Sequence, residues 1–184
     1  MRELPILFSA EMVKAILDGR KTVTRRVKRP NYKPGDLLWV KETYCHGVEW
    51  DDSKPGEVDP LCGGNDIWYF ADGDRPTEGW GKKRSSRFMP KWVARIFLEV
   101  VSVRAERLQV ITGGEAIREG IEIGSAHGEP AYYLYDSRLH YTPDPIESFQ
   151  TLWDKLNHKR GYGWVTNPWV WRIEFKLKSI IINK

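Results

Sequence analysis

Hydrophobic positions along the chain switch between helical and strand spacing. "LPILFS" reads as a short strand. Ser9 then caps a helix running through Asp18, with Met12, Val13, Ile16 and Leu17 as its apolar stripe and Gly19 as its stop. The β-branched residues of "KTVTRRV" predict a strand over 21–27. "KPGD" is a turn signal, and "LLWVKETY" predicts a strand over 37–44. "WVARIFLEVVSVRAERL" holds the longest strand signal, placed at 93–104, with room for a bend or bulge. "TGGEAIREGI" predicts a short helix whose capping box is Thr112 and Glu115. "PIESFQTLWDKLNHK" predicts an amphipathic helix near 146–158, starting at or near Pro145, with Ile146, Phe149, Leu152, Trp153 and Leu156 inward. "PWVWRIEFKL" supplies a closing strand over 169–177.

Two stretches break the pattern. From Cys45 to about Pro90 the chain is rich in Gly, Pro and charge around a small aromatic island, "IWYFA", and residues 122–144 read as a polar loop. Both are expected as insertions into one domain spanning 1–178, with 179–184 as a tail. Short helices punctuate an otherwise β chain without regular βα alternation. The expected class is mainly β with α (α+β): a curled sheet or partly open β-barrel with short helices at its rim.

Composition adds limits. The 184 residues are 41% hydrophobic and 29% charged, as in a globular protein. The net charge of +4 suits an anionic partner without demanding one. Nine tryptophans supply buried area and flat faces on which bases stack. No window reads as a membrane span or a signal peptide, and two cysteines make no disulfide framework, so a cytoplasmic protein is expected. Cys45, His46 and Cys62 lack a C-x-x-C pair and an obvious fourth ligand, so no metal is expected. No phosphate-binding glycine loop is present and no cofactor is expected. "TGGE" reads as a helix cap and "GYG" as a turn, and His127, His140 and His158 fall in loops or at a helix end.

The densest chemistry lies in "ILDGRKTVTRR", where Gly19, Lys21, Thr24 and Arg26 have the spacing G-x-K-x-x-T-x-R. This resembles the signature of the ASCH domain family, within the PUA-like superfamily linked to RNA. The usual signature has Glu where this chain has Thr24. The branch of small bacterial 4-acetylcytidine amidohydrolases is more similar, and that likeness continues through "YKPGDLLWV", "FLEVVSVRAERLQVIT", "EAIREGI" and "WVWRIEFK". The two insertions are absent from those small enzymes, and the chain looks like a larger, often phage-associated, ASCH-like group. The resemblance implies a PUA-like fold and a catalytic set in which Thr24 is the nucleophile, Lys21 the proton acceptor and Glu119 the proton donor. Glu115 and Glu122 are neighbouring alternatives for the donor.

The residues alone leave two readings. A lysine with a lowered pKa is a usable base, and burial or the neighbouring Arg20, Arg25 and Arg26 would lower it. Side chains alternate along a regular strand, however, so Lys21 and Thr24 converge only if Lys21 lies in the turn after Gly19 or a bulge intervenes. Otherwise Thr22, Thr24 and Arg26 form one face of an edge strand. Three functions follow: an amidohydrolase acting on an acylated cytidine or related nucleoside, a non-catalytic module binding RNA or a modified base, and a ribonuclease. The expected ligand contacts are Arg25, Arg26, Trp39 and Trp68, with a nucleoside or RNA as partner.

Overall fold

A computed structural model describes residues 1–54, 56–58, 67–126, 128–136 and 141–181. The strands are β1 (Glu3–Leu7), β2 (Val23–Arg26), β3 (Leu37–Lys41), β4 (Tyr44–His46), β5 (Ile67–Tyr69), β6 (Ile96–Arg107), β7 (Ile123–Ala126), β8 (Glu129–Tyr133), β9 (Tyr141–Thr142) and β10 (Trp169–Ile180). The helices among the described residues are α1 (Ala10–Leu17), α2 (Gly113–Arg118) and α3 (Pro145–Asn157), joined by short 3-10 turns. The class is α+β. Among the described residues the main sheet has the strand order β1-β3-β6-β10-β2.

The chain forms two compact units. The first comprises Met1–Leu17, Gly35–Glu99 and Lys176–Lys184; the second comprises Asp18–Pro34 and Val100–Phe175. In the first unit β1 pairs in parallel with β3, and β3 pairs antiparallel with β6. Alternation along β3 sends Leu38 and Val40 into the core beside Ile96 and Leu98 of β6, all fully buried. The insertion over 45–90 lies wholly in this unit. Its Tyr69 and Met89 share a cluster with Tyr44, Val93 and Ala94, against which Trp39 and Phe97 pack. Its described residues Tyr69 and Met89 thus add to that cluster.

In the second unit β10 pairs antiparallel with β2, with Arg25 opposite Arg172 and Thr24 opposite Ile173. Val23, Leu108, Ile121 and Ile173 are fully buried there, with Phe149, Trp153 and Phe175 nearly so. Helix α3 begins as expected. Pro145 stands in its first turn, and the Asp144 carboxylate accepts from the Ile146 amide at 2.8 Å. Its inward face differs from the expected stripe: Leu156 is exposed and Asn157 is buried instead, its amide donating to Trp153 O at 3.2 Å.

Three further expectations are corrected. Residues 122–144 are not simply a polar loop, because β7, β8 and β9 form a three-stranded sheet. Its tyrosines pack edge to face, with Tyr133 and Tyr141 rings 5.8 Å apart, and the Tyr141 ring lies against Gly124, where a side chain would clash. The strand expected over 37–44 is split into β3 and β4. The long strand starts at Ile96 because Lys91–Val93 coils into a 3-10 turn after Pro90, and it extends to Arg107. Cys62, His127 and His140 lie outside the described residues.

Leu98 is fully buried and Val101, three residues along β6, is 46% exposed. Leu98→Ala is expected to cost about 2–5 kcal/mol, and Val101→Ala about 0.5 kcal/mol or less, as shifts in urea midpoint.

Candidate functional site

The candidate residues are positioned by a join between two short elements. Gly19 adopts φ 73, the left-handed region that glycine enters without a steric cost, and this releases the chain from helical geometry. Three residues further on, the Thr22 amide donates to Arg118 O at 3.0 Å, and Thr22 O accepts from the Phe175 amide at 3.0 Å. The first bond fixes the entry to β2 against the end of α2. The Thr112 hydroxyl caps α2 by accepting from the Glu115 amide at 3.3 Å. Lys21, just before β2, and Glu119, just after α2, are thereby brought together.

Lys21 is 4% exposed and Glu119 also 4%. Lys21 Nζ donates to Val23 O at 2.9 Å, to Glu119 Oε2 at 3.2 Å, and to Glu119 O. Burial pushes the Lys21 amine below its ordinary value of 10.5. The Glu119 carboxylate opposes this, and Arg26 and Arg25 add smaller downward contributions. Burial therefore does most of what cation crowding was expected to do. Arg20 turns elsewhere, to Asp18 at 3.0 Å and Ile121 O at 3.0 Å.

Arg25, expected as a ligand contact, is enclosed by carboxylates. Its side chain is 0% exposed. Nη1 reaches Glu119 Oε1 at 3.1 Å, Nη2 reaches Glu115 Oε2 at 2.8 Å, and Nε reaches Glu106 Oε1 at 2.9 Å. Arg172, opposite it on β10, donates to Glu115 Oε1 at 2.8 Å and to Glu174 Oε2 at 2.9 Å. Glu115 thus bridges two arginines set directly across a strand pair. Burial alone would raise the Glu115 pKa, but Arg25 and Arg172 outweigh it and hold the group below 4.5. Glu106, Arg172 and Glu174 were not among the residues expected from the sequence. Their signal was opposite charges two residues apart, "RAE" and "RIE", on two strands.

Thr24 is 5% exposed and sits within β2. In a regular strand its hydroxyl and the Arg25 side chain take opposite faces, and Arg26, across from Trp171, shares the Thr24 face. Arg26 is half-buried. Burial lowers its pKa from 12.5 while Glu119 opposes the shift, and Tyr32 stands near enough to act on it. The two tryptophans expected as contacts lie in the first compact unit. Trp39, on β3, has the Lys41 ammonium 5.4 Å above its ring. Trp68, on β5, stacks at a tilt on Trp80 at 5.8 Å. Cys45 and His46 are buried on β4. Among the described residues no group of three or more His, Cys, Asp or Glu side chains is placed to hold a metal ion, and no helix is long and apolar enough to cross a membrane.

No family model and no curated protein matches this chain. Two solved structures are similar to it. An ASCH domain from Lactobacillus crispatus is 12% identical, with 96% of this chain and 79% of that one covered and a TM-score of 0.44. A protein from Enterococcus faecalis, of the family termed DUF984, is 9% identical, with 98% and 82% covered and a TM-score of 0.46.

Glu174 gives the network a pH signature. Hydrogen bonds from Arg118 and Arg172 hold its pKa down at about 2, against an ordinary 4.5. A depressed carboxylate contributes stability that is present above pH 4.5 and is lost as pH falls toward about 2. Glu174→Gln is expected to lower the urea midpoint at pH 7, by roughly 1–3 kcal/mol, and to flatten its decline between pH 4.5 and 2. A variant that declines as steeply as the wild type would place the acid sensitivity elsewhere.

Proposed function

We propose that the protein is an amidohydrolase acting on an acylated cytidine or a related acylated nucleobase. The observation that carries this reading is the buried contact between the Lys21 amine and the Glu119 carboxylate, 3.2 Å apart and three residues from a hydroxyl at Thr24. A dry lysine pushed below 10.5 is a base in waiting, and the carboxylate beside it is a proton store. The substrate class comes from the resemblance of "GRKTVTRR" to the 4-acetylcytidine amidohydrolases.

In the proposed cycle, neutral Lys21 takes the Thr24 hydroxyl proton as the oxygen attacks the acyl carbonyl. The proton passes from the Lys21 ammonium to Glu119, and from Glu119 to the exocyclic nitrogen as the C–N bond breaks. Free base leaves, and the acyl group remains on Thr24 as an ester. Water then attacks the ester, Lys21 takes its proton and returns it to the Thr24 oxygen as the ester bond breaks, and the carboxylic acid departs with the Thr24 hydroxyl and the neutral Lys21 amine restored. Arg25 is a positioning residue, holding the second oxygen of Glu119 so that the first stays on Lys21. Arg26, on the Thr24 face, is the cation for the oxyanion or the substrate.

A second reading, a module that binds a modified base without chemistry, is favoured by one observation. Thr24 lies inside a regular four-residue pairing with β10, which gives it the face opposite Arg25, one of the two cations that hold Glu119. That module needs Arg26 and a stacking surface but no activated hydroxyl.

Incubation with 4-acetylcytidine, followed by chromatography of cytidine, separates the two. The hydrolase reading expects turnover that falls by at least about a hundredfold in Lys21→Ala and in Thr24→Ala, with circular dichroism unchanged. Its rate is expected to rise with pH to a plateau whose midpoint lies below 10.5. In Glu119→Gln the residual rate should show a midpoint shifted further down, because the carboxylate that favours the Lys21 ammonium is gone. Binding of the nucleoside without any release of cytidine by the wild type would select the binding module.

A further inference from the structure

Seven arginines of the second unit fall into two groups. Arg25, Arg104, Arg118 and Arg172 each meet a glutamate. Arg29, Arg107 and Arg160 meet none among the described residues; Arg107 bonds Asn167 O at 3.1 Å and Arg160 bonds the Asn157 side chain at 3.2 Å. Two of these three lie over tryptophans of β10. The Arg107 guanidinium is 4.9 Å from the centre of the Trp169 ring, and Arg29 is 5.1 Å from that of Trp171. Trp169 is 58% exposed, a large apolar surface left in water for which the fold itself gives no reason.

Position on the strand ties these residues to the candidate site. Trp169, Trp171 and Ile173 alternate onto one face of β10. The register sets Trp171 opposite Arg26 and Ile173 opposite Thr24, and paired residues share a face. Arg160 stands near enough to Arg26 to lower its pKa further. One face therefore carries two tryptophans in sequence, each with a guanidinium on one side, together with Thr24 and Arg26. An arginine on one side of an indole leaves the other side for a planar ring. Unneutralised cations spaced along stacking rings match a chain of bases joined by phosphates. A duplex hides its base faces, so the fit is to a single strand.

We infer that Trp169 and Trp171 are a stacking track for the bases of a single-stranded polynucleotide whose phosphates are met by Arg29, Arg107 and Arg160. Resting on the hydrolase reading, the corollary is that the acylated base is presented to Thr24 more efficiently within a strand than as a free nucleoside.

The test uses the full chain and labelled unmodified single-stranded RNA and DNA of roughly ten nucleotides, followed by anisotropy. Wild type is expected to bind, with log affinity falling linearly against log salt. Trp169→Ala, an exposed position outside the catalytic set, is expected to weaken binding roughly five- to a hundredfold. Arg107→Gln is expected to reduce the salt slope by about 0.7. Trp171→Phe, which keeps a ring, is expected to bind closer to wild type than Trp169→Ala. RNA and DNA arms that differ identify the strand; arms that agree mean that base stacking and phosphate contacts suffice, and both support the track. Absence of oligonucleotide binding, or equal binding by wild type and Trp169→Ala, overturns the inference. The hydrolase reading is scored apart, on turnover of free 4-acetylcytidine by the wild type. Track-dependent binding without turnover in either assay leaves the track standing and removes its catalytic corollary. Turnover of the free nucleoside at least as efficient as turnover of the same base in an oligonucleotide overturns the corollary.

Discussion

Two arginines, Arg25 and Arg172, face each other across the β2–β10 pair in the second unit, and this cannot stand without carboxylates. Like charges directly opposite destabilise a strand pair, and each of these side chains is almost wholly buried. Glu115 answers by taking one arginine on each of its oxygens. Glu115 can do so only if α2 lies across the strands, and that placement carries Glu119 onto Lys21. The candidate site is thus a by-product of charge compensation. Burial makes the compensation obligatory, since a buried cation stripped of its partner costs roughly 3–5 kcal/mol.

The same arrangement explains how the Lys21 amine is kept poised. Desolvation drives its proton off, the adjacent carboxylate pulls it back, and Arg25 holds that carboxylate from its other oxygen. Removing Arg25 would leave Glu119 free to turn wholly toward Lys21 and favour the ammonium. Arg25 therefore acts on the proposed chemistry without touching substrate. The neighbouring face follows a different rule: there Arg29 and Arg107 lie over tryptophans and, among the described residues, meet no glutamate.

Much of this was legible in the sequence where a local rule governs. The stop at Gly19, the Thr112 cap and the start of α3 at Pro145 each rest on one or two residues and appear in the structure. The pairing of Lys21 with Glu119 was legible only through the family resemblance, because the two are 98 residues apart. The enclosure of Arg25 was not legible, since it needs Glu106 on β6 and Glu115 on α2, whose approach no local pattern encodes. The small sheet of β7, β8 and β9 was hidden for another reason. It is held by tyrosine packing and a ring against Gly124, and the polar residues around them mask both. Trp39 and Trp68 were expected as ligand contacts because one lies on a strand and the other in the insertion; the exposed Trp169 with its arginine emerges only once burial and strand face are known.

The most direct test of the central claim looks for the covalent intermediate. Wild-type protein mixed with 4-acetylcytidine, quenched in acid during turnover and digested, is examined by mass spectrometry. The account expects one acetyl group on the peptide that contains Thr24, absent when the nucleoside is omitted and absent in Lys21→Ala. Turnover with no acetylated Thr24 peptide, together with undiminished turnover by Thr24→Ala, would contradict it.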